Sequence, residues 1–68
     1  MSDVAKVTEI IASSKKSFED AIQNGIARAS KTLKGIQGAW VDNLKVVVKN
    51  GKVMEYRVNM RVTFVLKS

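Results

Sequence analysis

Asn50-Gly51 stands between two long runs rich in β-branched residues. In that setting an Asn-Gly pair signals a hairpin closed by a type I′ turn, because both positions tolerate positive φ. The run after it alternates cleanly. Tyr56, Val58, Met60, Val62, Phe64 and Leu66 fall on one face, and Glu55, Arg57, Asn59, Arg61 and Thr63 on the other. A period of two marks a half-buried strand. The sequence therefore predicts strands over Ala39–Lys49 and Lys52–Leu66. With a two-residue turn, Lys49 faces Lys52 and partner numbers sum to 101. Ala39 then opposes Val62, Val41 opposes Met60 and Val47 opposes Met54 on one face. The other face pairs Trp40 with Arg61, Asp42 with Asn59, Leu44 with Arg57, Val46 with Glu55 and Val48 with Val53. A bulge would move this register by one residue.

Ahead of the hairpin, Val4 to Ile11 reads as a first strand, although its two faces do not separate by polarity. Ser13-Ser14 interrupts it, and Ser14 is the expected helix N-cap. Phe18, Ile22, Ile26, Ala29 and Leu33 then recur at three- and four-residue steps, with Ala21 and Gly25 beside them. Glu19 and Asp20 lie early and Lys31 and Lys34 late, as the helix dipole favours. With Gly35 as a left-handed cap past its end, the helix is expected to run about five turns. The fold class is α+β, ordered β-α-β-β, with three antiparallel strands and one helix forming a single domain over residues 1–68.

A 68-residue chain buries only about 60% of the surface it exposes when unfolded, so its own core is marginal. Disulfides, metals or oligomerisation compensate in small domains. This chain has no Cys and no His, which removes disulfides, thiolate and imidazole metal sites, and His-activated nucleophiles. Oligomerisation is left. No run approaches the roughly 20 apolar residues of a membrane span and no signal-peptide pattern opens the chain, so a cytoplasmic location is expected. The net charge of +6 raises nucleic-acid binding as a possibility, but the lysines are scattered and only Lys15-Lys16 are adjacent, which reads as solvated surface. Glu19 and Asp20 do not converge, and no carboxylate pair forms an acid/base dyad. Binding, not catalysis, is the expected activity.

One helix covers one side of a three-stranded sheet. The expected register leaves Trp40, Leu44, Val46, Val48 and Val53 on the other side, an apolar patch that marks an interaction surface. Trp40 is either a subunit-interface anchor, with Arg61 over its ring, or a platform for a planar ligand whose polar groups Arg57 and Arg61 hold. Asp42 beside Asn59 reads as a cross-strand polar pair, with a cation at a symmetry axis as the alternative.

Glu9-Ile10-Ile11-Ala12-Ser13-Ser14, Ser17-Phe18-Glu19-Asp20-Ala21-Ile22, the run Ala27 to Leu33, Glu55-Tyr56-Arg57-Val58 and Val62-Thr63-Phe64 together resemble the dodecin family over nearly the whole chain. That resemblance implies a sheet wrapped around the helix and a hollow homododecamer. It also implies flavin binding, riboflavin or FMN, with the isoalloxazine held between aromatic rings for storage or protection. On this reading the cofactor-binding residues are Trp40, Arg57, Arg61, Leu44 and Gly38. Two positions depart from the flavin-binding pattern. Gly38 occupies the family's tryptophan position, two residues from Trp40, and Arg57 occupies that of a glutamine that bonds the flavin edge. A guanidinium only donates, whereas an amide donates and accepts. The Tyr56-Arg57 pairing resembles a branch without the flavin tryptophan, some of whose members bind calcium. An assembly binding an ion such as calcium, or serving as a scaffold, is the alternative implied.

Overall fold

The computed structural model describes residues 4–66. Strand β1 (Val4–Ser14), helix α1 (Phe18–Ala29), strand β2 (Ile36–Lys49) and strand β3 (Lys52–Leu66) follow in that order. The sheet is antiparallel in the order β1-β3-β2, so β3 is central and both other strands are edges. The expected β-α-β-β architecture is the one observed, and β3 has the bounds its alternation predicts. Asn50 and Gly51 both have positive φ, as the hairpin turn requires.

Several boundaries differ from expectation. Ser13 and Ser14 do not end β1; they stay paired with Arg57 and Tyr56. The N-cap is Ser17, whose extended backbone lets its Oγ accept from the Asp20 N–H at 3.0 Å. Ser14 instead organises the strand-to-helix link. Its hydroxyl donates to Asp20 Oδ2 at 2.6 Å and accepts from the Lys16 N–H at 2.9 Å. The helix is also shorter than expected, 12 residues or roughly three turns. The run Ser30-Lys31-Thr32 ends it, because its hydroxyls compete for backbone carbonyls. Ser30 Oγ donates to Ile26 O at 2.8 Å, and the Lys31 and Thr32 N–H groups tighten onto Arg28 O and Ala29 O. Gly35 has the expected positive φ, but it lies beyond this turn and its carbonyl accepts from the Val65 N–H.

Alternation on β3 puts Val58, Met60 and Val62 under the helix with no exposure at all. Each such side chain contributes about 1.5–3 kcal/mol by leaving water. Ala21 meets Val58 and Met60, and Ile10, Ala12, Phe18, Ile22 and Ile26 close around them. The residues of α1 that bury fully are the small ones, Ala21, Gly25 and Ala29. A Cβ on Gly25 would lie 2.8 Å from Met60 Cε and 2.9 Å from Ala12 Cβ, so the absent side chain is what lets helix and sheet meet. Phe18 packs edge-on against Tyr56, with ring centroids 5.1 Å apart.

The β2–β3 register corrects the expected one. Partner numbers sum to 101 at Lys49–Lys52 and Val48–Val53, then to 102 from Val47–Glu55 to Asn43–Asn59, and again to 101 from Val41–Met60 to Gly38–Thr63. Met54 is the extra residue on β3 at the first shift, and Asp42 is the extra residue on β2 at the second. Between them the sides of β2 are exchanged. Leu44 opposes Val58 and Val46 opposes Tyr56, so both face the helix side, contrary to expectation. Val47 opposes Glu55 rather than Met54 and turns to the open side. Because α1 lies on β1 and β3, the helix-side row of β2 is still exposed: Val41 at 45% and Leu44 at 56%. Among the described residues no helix is long and apolar enough to cross a membrane.

Candidate functional site

The open sheet face is built in rows across the three strands. Trp40, Arg61 and Glu9 form one row, Asn43, Asn59 and Ile11 the next, and Lys45, Arg57 and Ser13 a third. Before Trp40 comes the row Gly38, Thr63 and Val7. Here the expected opposition of Trp40 and Arg61 holds.

Arg61 stacks on the indole, its guanidinium carbon 4.8 Å from the ring centroid. It is held there by Asp42. Arg61 Nε donates to Asp42 Oδ2 at 2.7 Å, and Nη2 donates to Oδ1 at 3.1 Å. A planar fork on a carboxylate fixes orientation as well as distance. The hydrogen bond from Arg61 holds the Asp42 carboxyl below its ordinary pKa, and the same bond raises that of Arg61. Trp40 remains 53% exposed, so one face of the indole carries the cation and the rest of the ring is open.

Asp42 is a residue of this face that sequence reasoning misplaced. It was expected opposite Asn59; as the bulge residue it reaches Arg61, and Asn43 takes the place opposite Asn59. The Asp42-Asn43 polar doublet, breaking the alternation of β2, is the signal that could have shown it. Leu44 leaves the site altogether, since the bulge turns it to the helix side. Arg57 stays on the open face, two rows from Arg61, with a single 3.6 Å contact to Glu55. Lys45, directly opposite Arg57, was not singled out from sequence. Gly38 also shares the open face. A Cβ there would meet only Thr63 Oγ1, at 3.5 Å, so the space above it is free. It lies about 7 Å along the strand from Trp40, one same-face step.

The face therefore offers a clamped indole, room beside it, and two cations further along. Asp42, with both oxygens taken by Arg61, is not a free metal ligand. No group of three or more His, Cys, Asp or Glu that could hold a metal ion occurs among the described residues.

Comparison with known proteins places the fold. A dodecin from Thermus thermophilus is 34% identical over 98% of this chain and 97% of its own length. The solved dodecin from Streptomyces davaonensis superposes with a TM-score of 0.95 at 31% identity, all of both chains covered. A calcium dodecin from Mycobacterium tuberculosis, described as calcium chelating with a novel calcium-binding site, superposes at 0.82 with 30% identity, covering 94% of this chain and 91% of its own. The sequence model of the Dodecin family matches residues 4–67, and on that match, with the shared β-α-β-β fold, this chain belongs to the dodecin family.

Proposed function

We propose that residues 1–68 act as one unit, a cytoplasmic subunit of a hollow homododecamer that sequesters a flavin, riboflavin or FMN, as a store and not as an enzyme. The observation that carries this reading is the exposed Trp40 indole, backed on one side by Arg61 and free elsewhere. An indole buries a large flat area with little loss of conformational freedom, which suits stacking on an isoalloxazine. The open space over Gly38 gives a ring system room beside it. Arg57 is the residue for the polar edge of the ligand; Arg61 is committed to Asp42 and serves to hold the indole. Membership in the dodecin family supports both the assembly and the flavin. The bare helix-side row of β2, Val41, Leu44 and Val46, supports a further subunit packing there.

A second reading, an assembly that binds calcium, rests on the calcium dodecin relative. Within one subunit it has little to build on, because Asp42 is already paired and the other carboxylates are dispersed.

The test is a fluorescence titration of riboflavin and FMN with purified protein, run beside a measurement of particle mass. Saturable quenching by a large assembly is expected, and Trp40→Ala is expected to abolish it. Quenching that survives Trp40→Ala removes the stacking role. An intact assembly that quenches nothing removes the flavin.

A further inference from the structure

Two surfaces of this chain are incomplete, and each lacks what the other supplies. Along α1 and the outer edge of β1 runs a groove of about 530 Å³, whose walls include Thr8, Ile10, Ala12, Gly25, Ala29 and Leu33. It is a helix flank with no strand beneath it. Leu44 and Val46 of β2 are the reverse, an exposed apolar row with no helix above it, because α1 lies on β1 and β3. β1 and β2 are also the two edges of the sheet, so each has an outer side that no strand of this chain meets.

A second copy can meet these edges in few ways. A two-fold contact pairs β1 with β1 or β2 with β2, and either leaves the other surface bare. Joining β1 of one copy to β2 of the next completes both at once. Within a copy β1 and β2 run parallel, since both are antiparallel to β3. A copy added in the same orientation therefore brings its β2 parallel to β1, with both helices on one side of the shared sheet. Reversing that β2 would turn its apolar row away from the groove.

Charge sets the register. Glu9 lies on the open side of β1 and Lys45 on the open side of β2. Neither has an ion-pair partner among the described residues. Directly opposed residues share a face, and opposite charges so placed attract. Pairing β1 with β1 cannot satisfy Glu9, because Lys6, the one cation of that strand, lies on the helix side.

We propose that β2 of one copy docks in the groove beside β1 of the next, parallel to it, with Glu9 facing Lys45. This contact rests on the oligomeric reading above and names the surfaces that build it. On the helix side it sets Thr8 beside Leu44 and Ile10 beside Val46; on the open side it sets Ile11 beside Val47. The contact is head-to-tail, so it propagates from copy to copy until a ring closes.

The chain has no cysteine, so single cysteines report proximity cleanly. Ile11→Cys and Val47→Cys are placed in separate full-length chains with tags of different length, co-expressed, and treated with a short bis-maleimide. Neighbouring strands lie about 4.8 Å apart, within its reach. A linked pair with one chain of each kind is expected, and neither variant should link to itself. In a second experiment, Glu9→Lys alone and Lys45→Glu alone should each lose the large species in a particle-mass measurement, and the two changes together should restore it. Self-linking of either cysteine variant, no mixed pair from an intact assembly, single charge changes that leave the assembly whole, or a double change that fails to restore it would overturn the proposal. A wild type that is monomeric would overturn it together with the assembly. Riboflavin quenching by the wild type is read separately: a mixed pair without quenching removes the flavin alone, and quenching without a mixed pair removes the docking alone.

Discussion

The two halves of the sheet share β3 yet are built differently. β1 and β3 pair without a break, every partner sum being 70 from Val4–Leu66 to Ser14–Tyr56. β2 and β3 change register three times, at Gln37, Asp42 and the Met54 side of the turn. The regular half lies under the helix and holds Ala21, Val58 and Met60; the bulged half carries Trp40, Asp42, Lys45 and the exposed Leu44. Straight pairing suits a face that must be filled by side chains at fixed intervals. Bulges let successive side chains be aimed at different targets. In this chain the first half supplies stability and the second supplies surface chemistry.

That division can be broken by substitution. Met60→Ala, in the fully buried row, should cost about 2–5 kcal/mol in denaturant unfolding. A loss below 1 kcal/mol would mean that the regular half is not the core. Gly25→Val forces a side chain into the 2.8 Å and 2.9 Å spaces at Met60 and Ala12 and should cost about 1–3 kcal/mol. Ser17→Ala removes the oxygen that accepts from the Asp20 N–H, and thermal unfolding should show a loss of about 1 kcal/mol.

The smallest effect belongs to the bulged half. Asp42 has a lowered pKa in the folded chain, so its pairing with Arg61 is present above the ordinary carboxylate pKa. It is lost as pH falls through the lowered folded value. Acid titration followed by Trp40 fluorescence should show a step there, because releasing Arg61 changes what lies on the indole. Asp42→Asn should erase the step while leaving unfolding at pH 7 nearly unchanged, as befits an exposed pair. A step that persists in Asp42→Asn would show that another group controls Arg61.

Legibility in the sequence follows the same division. β3 could be read end to end because both its flanks impose the same alternation on it. The turn was legible because Asn50-Gly51 is chemically specific. The helix stripe was legible in kind, although the burying positions proved to be Ala21, Gly25 and Ala29, since a large sheet residue such as Met60 needs small neighbours. β2 was not legible. Neither Asp42 nor Met54 is a glycine or proline that would mark a bulge, and the run Val46-Val47-Val48 is apolar whichever way each residue points. The site inherited that uncertainty. Trp40 and Arg61, outside the displaced stretch, were paired correctly; Leu44 and Asp42, within or beside it, were not.

The two insertions act on the hairpin as paired frameshifts act on a reading frame. Met54 puts β2 out of phase with β3 from Val47, and five positions further toward the start of β2 Asp42 restores it. Between Gly38 and Lys49, only the residues from Asn43 to Val47 are read on the other side. Flattening the bulge at Asp42 alone, with Asp42 drawn into the ladder opposite Met60, would leave everything upstream out of phase, setting Val41 opposite Arg61 and Trp40 opposite Val62, on the helix side. Flattening both bulges would return the indole to its place. A change that flattens either bulge is therefore answered only by flattening the other, although the two residues lie on different strands.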